Sequence, residues 1–216
     1  MLIGVDEAGR GPVLGSMFVA AVGVDTRDDL PEGIRDSKQL STEQREALAQ
    51  ALETIDSITI HAEEVPAAEI DAPRANLNAL TVEAAARAIR AVMSDPSGEV
   101  ECFLDACDVN ETRFADAVGR RLPDGIAVSA QHRADVDDGL VGAASIVAKS
   151  AREAHVGELA ATYGTIGSGY AHDATTRAFI RSYIEEQGHL PGCARRSWQT
   201  SADLLAQVSQ QTLDSI

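Results

Sequence analysis

Short apolar runs, bounded by glycine, proline or acids, alternate along this chain with longer segments in which apolar side chains recur every three or four positions. Residues 2–6 read as a short buried strand followed by a Gly-Pro turn, and residues 16–24, SMFVAAVGV, as a second strand. Ser57 to Ala62, SITIHA, alternates apolar and polar residues and predicts a third strand with one solvated face. Ser41-Thr42-Glu43-Gln44 has the form of a capping box and opens a helix running to about Leu52. From Asn78 to Met93, Leu80, Val82, Ala85, Ala86, Ile89 and Met93 give a helix its apolar side, and Asp95-Pro96-Ser97-Gly98 stops it. Val100 to Leu104 predicts a fourth strand ending at Asp105, and Ile126 to Ala130 a fifth. Residues 141–162 form an alanine-rich helix ended by Gly164. A further helix covers Ala174 to Glu186, closed by Gly188 and Pro191, and another follows Ser197. Three strands, a helix, then two strands each followed by helix describe one α/β domain with a mixed sheet.

The length of 216 residues, 44% of them hydrophobic, supports one sizeable core. No stretch approaches the roughly 20 apolar residues of a membrane span. No basic region or cleavable apolar segment follows Met1, so nothing points to export and a cytoplasmic setting is expected. Cys102, Cys107 and Cys193 match no zinc-ligand spacing and read as reduced thiols. Charge changes the picture more. Asp plus Glu total 34 against 18 Lys plus Arg, a formal net charge of -16, and only Lys38 and Lys149 are lysines. A solvated acidic surface with scarce lysine and abundant alanine points to molar salt, where the Debye length is about 3 Å. Net charge therefore does not exclude a nucleic-acid substrate.

The candidate chemistry is carboxylate. Asp6-Glu7 closes the first strand and Asp105 the fourth, at strand ends where open α/β sheets place ligands. Asp135 lies in His132-Arg133-Ala134-Asp135 before the long helix. Such acids, if they converge, repel one another unless a hard cation such as Mg²⁺ is present. For Asp105 or Asp135 alone, a cap or a solvated loop residue is the simpler reading. His132 is as readily a solvent-facing histidine as a proton carrier.

The opening GVDEAGRGPVLGSMFVAAV closely resembles that of the ribonuclease HII family. The likeness continues in order through DSKQLS (36–41), FLDA (103–106), HRAD (132–135), AASIVAKSAR (143–152), YGTIGSGY (163–170) and RRSWQT (195–200). It covers about the first 200 residues, and its form looks archaeal. The resemblance implies a ribonuclease H-like fold: a five-stranded mixed sheet flanked by helices, with a catalytic domain over 1–195 and a helical tail over 196–216. It implies an endonuclease that cleaves on the 5′ side of ribonucleotides in RNA–DNA hybrids and in DNA duplexes, leaving 5′-phosphate and 3′-hydroxyl ends. Asp6, Glu7, Asp105 and Asp135 become the catalytic and metal-binding acids for Mg²⁺ or Mn²⁺, in a two-metal reaction. Gly9, Arg10 and Gly11, with Tyr170, would read the ribose 2′-hydroxyl, the group that separates RNA from DNA. Lys38, Ser145 and Lys149 would contact phosphate. Arg195 and Arg196 would touch the substrate flank or cap a helix. Where the family often shows Pro-Ser-Asp-Pro after the tyrosine, this chain has Ala171-His172-Asp173-Ala174, which loosens the expected turn.

A junction resolvase or other ribonuclease H-like nuclease would keep the fold without needing a 2′-hydroxyl reader, and a non-catalytic acidic binding module would not need four acids. The end of the chain, Gln210-Gln211-Thr212-Leu213-Asp214-Ser215-Ile216, resembles a clamp-binding peptide, with Gln210, Leu213 and Ile216 in its anchoring positions and the usual aromatic pair missing. A sliding clamp is thus an expected partner beside the nucleic acid, and a monomer is the expected state.

Overall fold

The computed structural model describes residues 1–31, 33–34, 41–73, 76–93 and 98–213, with side chains described through Gln210. Consecutive apolar residues become strands covered on both faces: β1 (Leu2–Ala8) and β2 (Met17–Val24), the latter buried throughout. α1 (Thr42–Glu53) opens on the expected capping box, Gln44 N–H donating to Ser41 Oγ and Ser41 N–H to Gln44 Oε1. The half-exposed β3 (Thr59–Val65) follows, then the short α2 (Ala67–Ile70) and α3 (Leu77–Val92). β4 (Glu101–Asp105), α4 (Glu111–Gly119), β5 (Ala127–Gln131) and the one-turn α5 (Ala134–Asp137) lead into α6 (Gly139–Tyr163). α7 (Ala174–Gln187) and α8 (Gln199–Leu213) complete the chain.

The five strands form one mixed sheet in the order β3-β2-β1-β4-β5. β1 is antiparallel to β2 and parallel to β4, and β5 is parallel to β4. β1 runs further than its apolar run predicts, because pairing with β2 continues from Asp6↔Ala20 to Ala8↔Phe18. Asp6 and Glu7 are therefore strand residues. α4 is the helix expected after the fourth strand, for which the sequence pattern gave no bounds. Asn110 caps it, and Phe114, Ala115 and Val118 form its buried side. Asp95, Pro96 and Ser97 of the expected helix stop lie outside the described residues. Among those described, no helix is long and apolar enough to cross a membrane.

The chain divides into two compact units. The first comprises Met1–Ala8, Phe18–Glu64 and Leu77–Ala151, and the second Gly9–Met17, Val65–Asn76 and Arg152–Ile216. In the first, the buried face of the sheet meets the N-terminal half of α6, with Ala20, Val22, Leu140, Ala144 and Ile146 in one apolar cluster. The approach is close enough that a Cβ on Gly4 would overlap the Leu140 carbonyl. The second has its own core, in which Val13, Leu14 and Ile166 pack with Ile180 and Ile184 of α7 and Leu204 and Val208 of α8. Segment 9–17 shares that core, which is why the unit gathers distant parts of the sequence.

Candidate active site

In the first unit, the register between β1 and β4 runs from Leu2↔Glu101 to Val5↔Leu104. One step further sets Asp6 beside Asp105, at the C-terminal ends of parallel strands. The close contact between β1 and α6 brings a helix side chain to the same place. Ser145, fully buried, hydrogen-bonds the Asp6 carboxylate, and Lys149 one turn on donates to Ser145 Oγ at 2.7 Å. The Glu7 amide donates to Asp6 Oδ1 at 2.7 Å. Asp6 is 5% exposed. Burial raises its pKa, the Ser145 bond opposes this, the Asp105 charge raises it further, and the Glu7 amide and Lys149 oppose. The net result is a carboxyl pushed up to about 7. Asp105 Oδ1 is itself buried.

Of the four expected acids, the fold brings this pair together. Among the described residues, no three Asp, Glu, His or Cys side chains stand close enough to enclose an ion. Glu7 follows Asp6 on β1 and is half-buried. Asp135 is buried in α5, which follows β5 and lies against β4. Ser145 was expected at a substrate phosphate. It is fully buried against Asp6 and Lys149. His132 bridges Glu111 Oε1 through Nδ1 at 2.7 Å and the Asp108 carbonyl through Nε2 at 2.8 Å. The Asp108 carbonyl and then the Glu111 carboxylate raise its pKa, since both partners favour the doubly protonated ring. That makes His132 a tie between the β4–α4 loop and α4.

The glycine-arginine-glycine segment belongs to the second unit. Gly9 has φ +88°, and a Cβ there would lie 2.9 Å from the Ser16 carbonyl, so the glycine is required by the turn itself. At Gly11 a Cβ would meet only the Tyr170 ring, at 3.8 Å, so there the missing side chain leaves open space. The loop is laced to two others. Val13 N–H donates to Gly169 O at 2.8 Å, Gly15 N–H to Cys193 O at 2.8 Å, and Arg195 N–H to Val13 O at 2.9 Å. Arg195 is fully buried. It donates through Nε to Gly15 O, through Nη1 to Arg10 O and through Nη2 to Gly9 O, at 2.9, 2.8 and 2.5 Å. Neither of its expected roles, substrate contact or helix cap, survives this burial. Trp198 packs on the guanidinium at 5.0 Å and donates Nε1–H to Gly11 O at 3.2 Å. Arg196 is exposed, with its amide bound to Asp71.

Tyr170 lies in the same unit, half-buried. The Arg152 guanidinium stacks over its ring at 4.8 Å and donates to Ser168 O at 2.5 Å, while His172 packs beside the ring at 5.5 Å. The missing prolines do not leave this turn loose. Asp173 caps α7, accepting from Ser168 N–H, Ser168 Oγ–H and Thr175 N–H, and its own amide closes the turn onto Tyr170 O. These bonds, led by the Ser168 amide, hold the Asp173 carboxyl well below the usual range. Sequence reasoning passed over Arg152 and Trp198, although both sit in the motifs AASIVAKSAR and RRSWQT. Lys38 lies outside the described residues. Gln210 is exposed on α8, the backbone of Leu213 ends that helix, and Ile216 lies outside the described residues.

A mixed five-stranded sheet with paired acids at the ends of its central parallel strands defines a nuclease of the ribonuclease H-like fold. Comparison with known proteins agrees. The family described as Ribonuclease HII matches residues 3–201. The Ribonuclease HII of Haloarcula marismortui is 51% identical over 219 residues, covering 99% of each chain. The crystal structure of the ribonuclease H2 of Pyrococcus horikoshii has a TM-score of 0.85 at 33% identity, covering 97% of this chain and 99% of that one. The structure of the PCNA:RNase HII complex from Archaeoglobus fulgidus contains a chain with a TM-score of 0.82 at 34% identity, covering 94% and 96%. This chain belongs to the ribonuclease HII family, metal-dependent endonucleases of the ribonuclease H group.

Proposed function

We propose that the protein hydrolyses the phosphodiester on the 5′ side of a ribonucleotide, in RNA–DNA hybrids and in DNA duplexes with embedded ribonucleotides. The observation that carries this reading is the Asp6–Asp105 pair on adjacent parallel strands, backed by Ser145 and Lys149. The donor set is all oxygen and buried, which suits a hard divalent cation of the Mg²⁺ or Mn²⁺ kind. Asp6 and Asp105 would hold the metal, with Glu7 and Asp135 supplying further oxygens. Divalent cations held there would supply the charge needed to activate an attacking water and to stabilise a departing 3′ oxygen. The chain's own groups prepare the place: the Ser145 hydroxyl and the Glu7 amide orient the Asp6 carboxylate, and the Lys149 ammonium offsets its charge. Lys149 and Lys38 are assigned to substrate phosphate, and Gly9-Arg10-Gly11 with Tyr170 to the 2′-hydroxyl.

One gel tests this. A duplex with a single ribonucleotide, an RNA–DNA hybrid and plain DNA are incubated with and without Mg²⁺ in KCl. The first two should be cut only with metal, and plain DNA not at all. Asp105→Asn should remove most hydrolysis while leaving the melting curve in place. Near-normal turnover in that variant would discard the acid assignment, and cleavage of plain DNA would favour a junction resolvase. The sliding clamp is proposed as partner through Gln210, Leu213 and Ile216, supported by the Archaeoglobus fulgidus complex with PCNA. Calorimetric titration of the clamp should show micromolar binding, about -8 kcal/mol, lost on deleting residues 210–216. Equal binding by both forms would refute that contact.

A further inference from the structure

Arg195 and Trp198 take up three successive carbonyls of the glycine-arginine-glycine loop: Gly9 O and Arg10 O on the guanidinium, Gly11 O on the indole N–H. A trans peptide points its C=O and N–H in opposite directions, and no described peptide bond is cis. The carbonyl of Gly9 shares its peptide with the N–H of Arg10, and that of Arg10 with the N–H of Gly11. Turning both carbonyls onto a buried cation turns those two amides away from it. The next peptide ends in Pro12, which has no N–H, so the row of outward amides is two long. Accepting a hydrogen bond from a cation also polarises a peptide, making its N–H the better donor.

We propose that Arg195 is the positioning residue for sugar discrimination: it holds the loop so that the Arg10 and Gly11 amides present a preformed pair of donors to the ribose 2′-oxygen. The inference rests on the reading of this loop as the 2′-hydroxyl contact. Arginine is specific here. Its planar fork serves Gly9, Arg10 and Gly15 at once, whereas a lysine ammonium on a flexible stem cannot span the three. Trp198 completes the device, with its ring stacked on the guanidinium and its N–H fixing the third carbonyl. The acids belong to the first unit and this arrangement to the second, so discrimination and hydrolysis are probed by different variants.

The test uses the full chain carrying Arg195→Lys or Trp198→Phe. Each is assayed for melting temperature, for kcat/KM on a single-ribonucleotide duplex with Mg²⁺, and for the ratio of Kd on all-DNA to Kd on that duplex with Ca²⁺. Each lost carbonyl bond should cost about tenfold. Folded Arg195→Lys should therefore lose about 100-fold in kcat/KM and Trp198→Phe about tenfold, both with the Kd ratio falling toward one. Asp105→Asn should lose turnover and keep the ratio. A role confined to stability would lower the melting temperature and leave the ratio at its wild-type value, and that result overturns the proposal. If Arg195→Lys does not fold at the assay temperature, Trp198→Phe decides alone: an unchanged ratio overturns the proposal, a reduced one supports it. A wild-type ratio of one would instead remove the underlying 2′-hydroxyl reading, whatever the variants do.

Discussion

Asp6 must be ionised to hold a cation, yet it sits where ionisation is unfavourable. Burial, with the Asp105 charge adding, lifts it from 3.8 to about 7. Between those values the folded chain binds the proton and the unfolded chain does not. The stability this provides is full below about pH 4 and is lost as pH rises through about 7. A bound cation works in the other direction, because it favours the carboxylate. In EDTA the melting temperature should therefore fall from about pH 5 to about pH 8. Millimolar Mg²⁺ should raise it at the upper end and do little at the lower, and Asp6→Asn should flatten both trends. Scanning calorimetry at the two pH values checks this; a melting temperature indifferent to Mg²⁺ at about pH 8 would count against Asp6 as a ligand. Cys102 shows burial acting alone: its thiol, 1% exposed in β4, is pushed up to about 12.

At the scale of elements, the site depends on how closely α6 lies against β1. Gly4 permits that approach, and α6 carries Ser145 and Lys149 to Asp6. Gly4→Ala should cost about 1–3 kcal/mol through overpacking against Leu140. For a chain of this size that is roughly 2–10 °C in melting temperature. Because the helix must shift, kcat should fall even at temperatures where the variant is fully folded. Thermal melts with matched kinetics measure both effects, and an unchanged kcat would show that α6 is not what positions Asp6. The elements themselves were largely legible in the sequence, since their signals are local. The apolar runs of β1 and β4, the Ser41–Gln44 capping box and the glycine that ends α7 all lie within a few residues of what they specify. α4 had a readable signal for its bounds in Asn110 followed by Phe114 and Val118. The acids were legible as motif residues; the meeting of Asp6 and Asp105 was not, because it follows from the β1–β4 pairing of segments far apart in the sequence. Arg195 was illegible for a different reason. Nothing near it distinguishes it from the exposed Arg196, because its partners lie 180 and more residues away.

For the whole molecule, the dominant quantity is the formal charge of -16. At low ionic strength that charge opposes compaction; in molar KCl it is screened within about 3 Å. The melting temperature should therefore rise with KCl. Contacts to substrate phosphate weaken over the same range, so cleavage should peak at a lower KCl concentration than stability does. Melts and initial rates on one KCl series test both, and a flat or falling melting curve would remove the adaptation to salt.

The bond from Arg195 to the Gly9 carbonyl spans 186 positions of the chain, and this imposes an order on biogenesis. At about 5–20 residues per second, a ribosome needs about 10–40 s to make the arginine after the glycine it will anchor. During that interval Asp6, Asp105, Ser145 and Lys149 have all emerged, while the loop following β1 has neither its guanidinium nor its indole. A nascent chain thus acquires its charged hydrolytic groups before the clamp that disciplines the recognition loop, and premature termination between codons 150 and 195 would leave the first without the second.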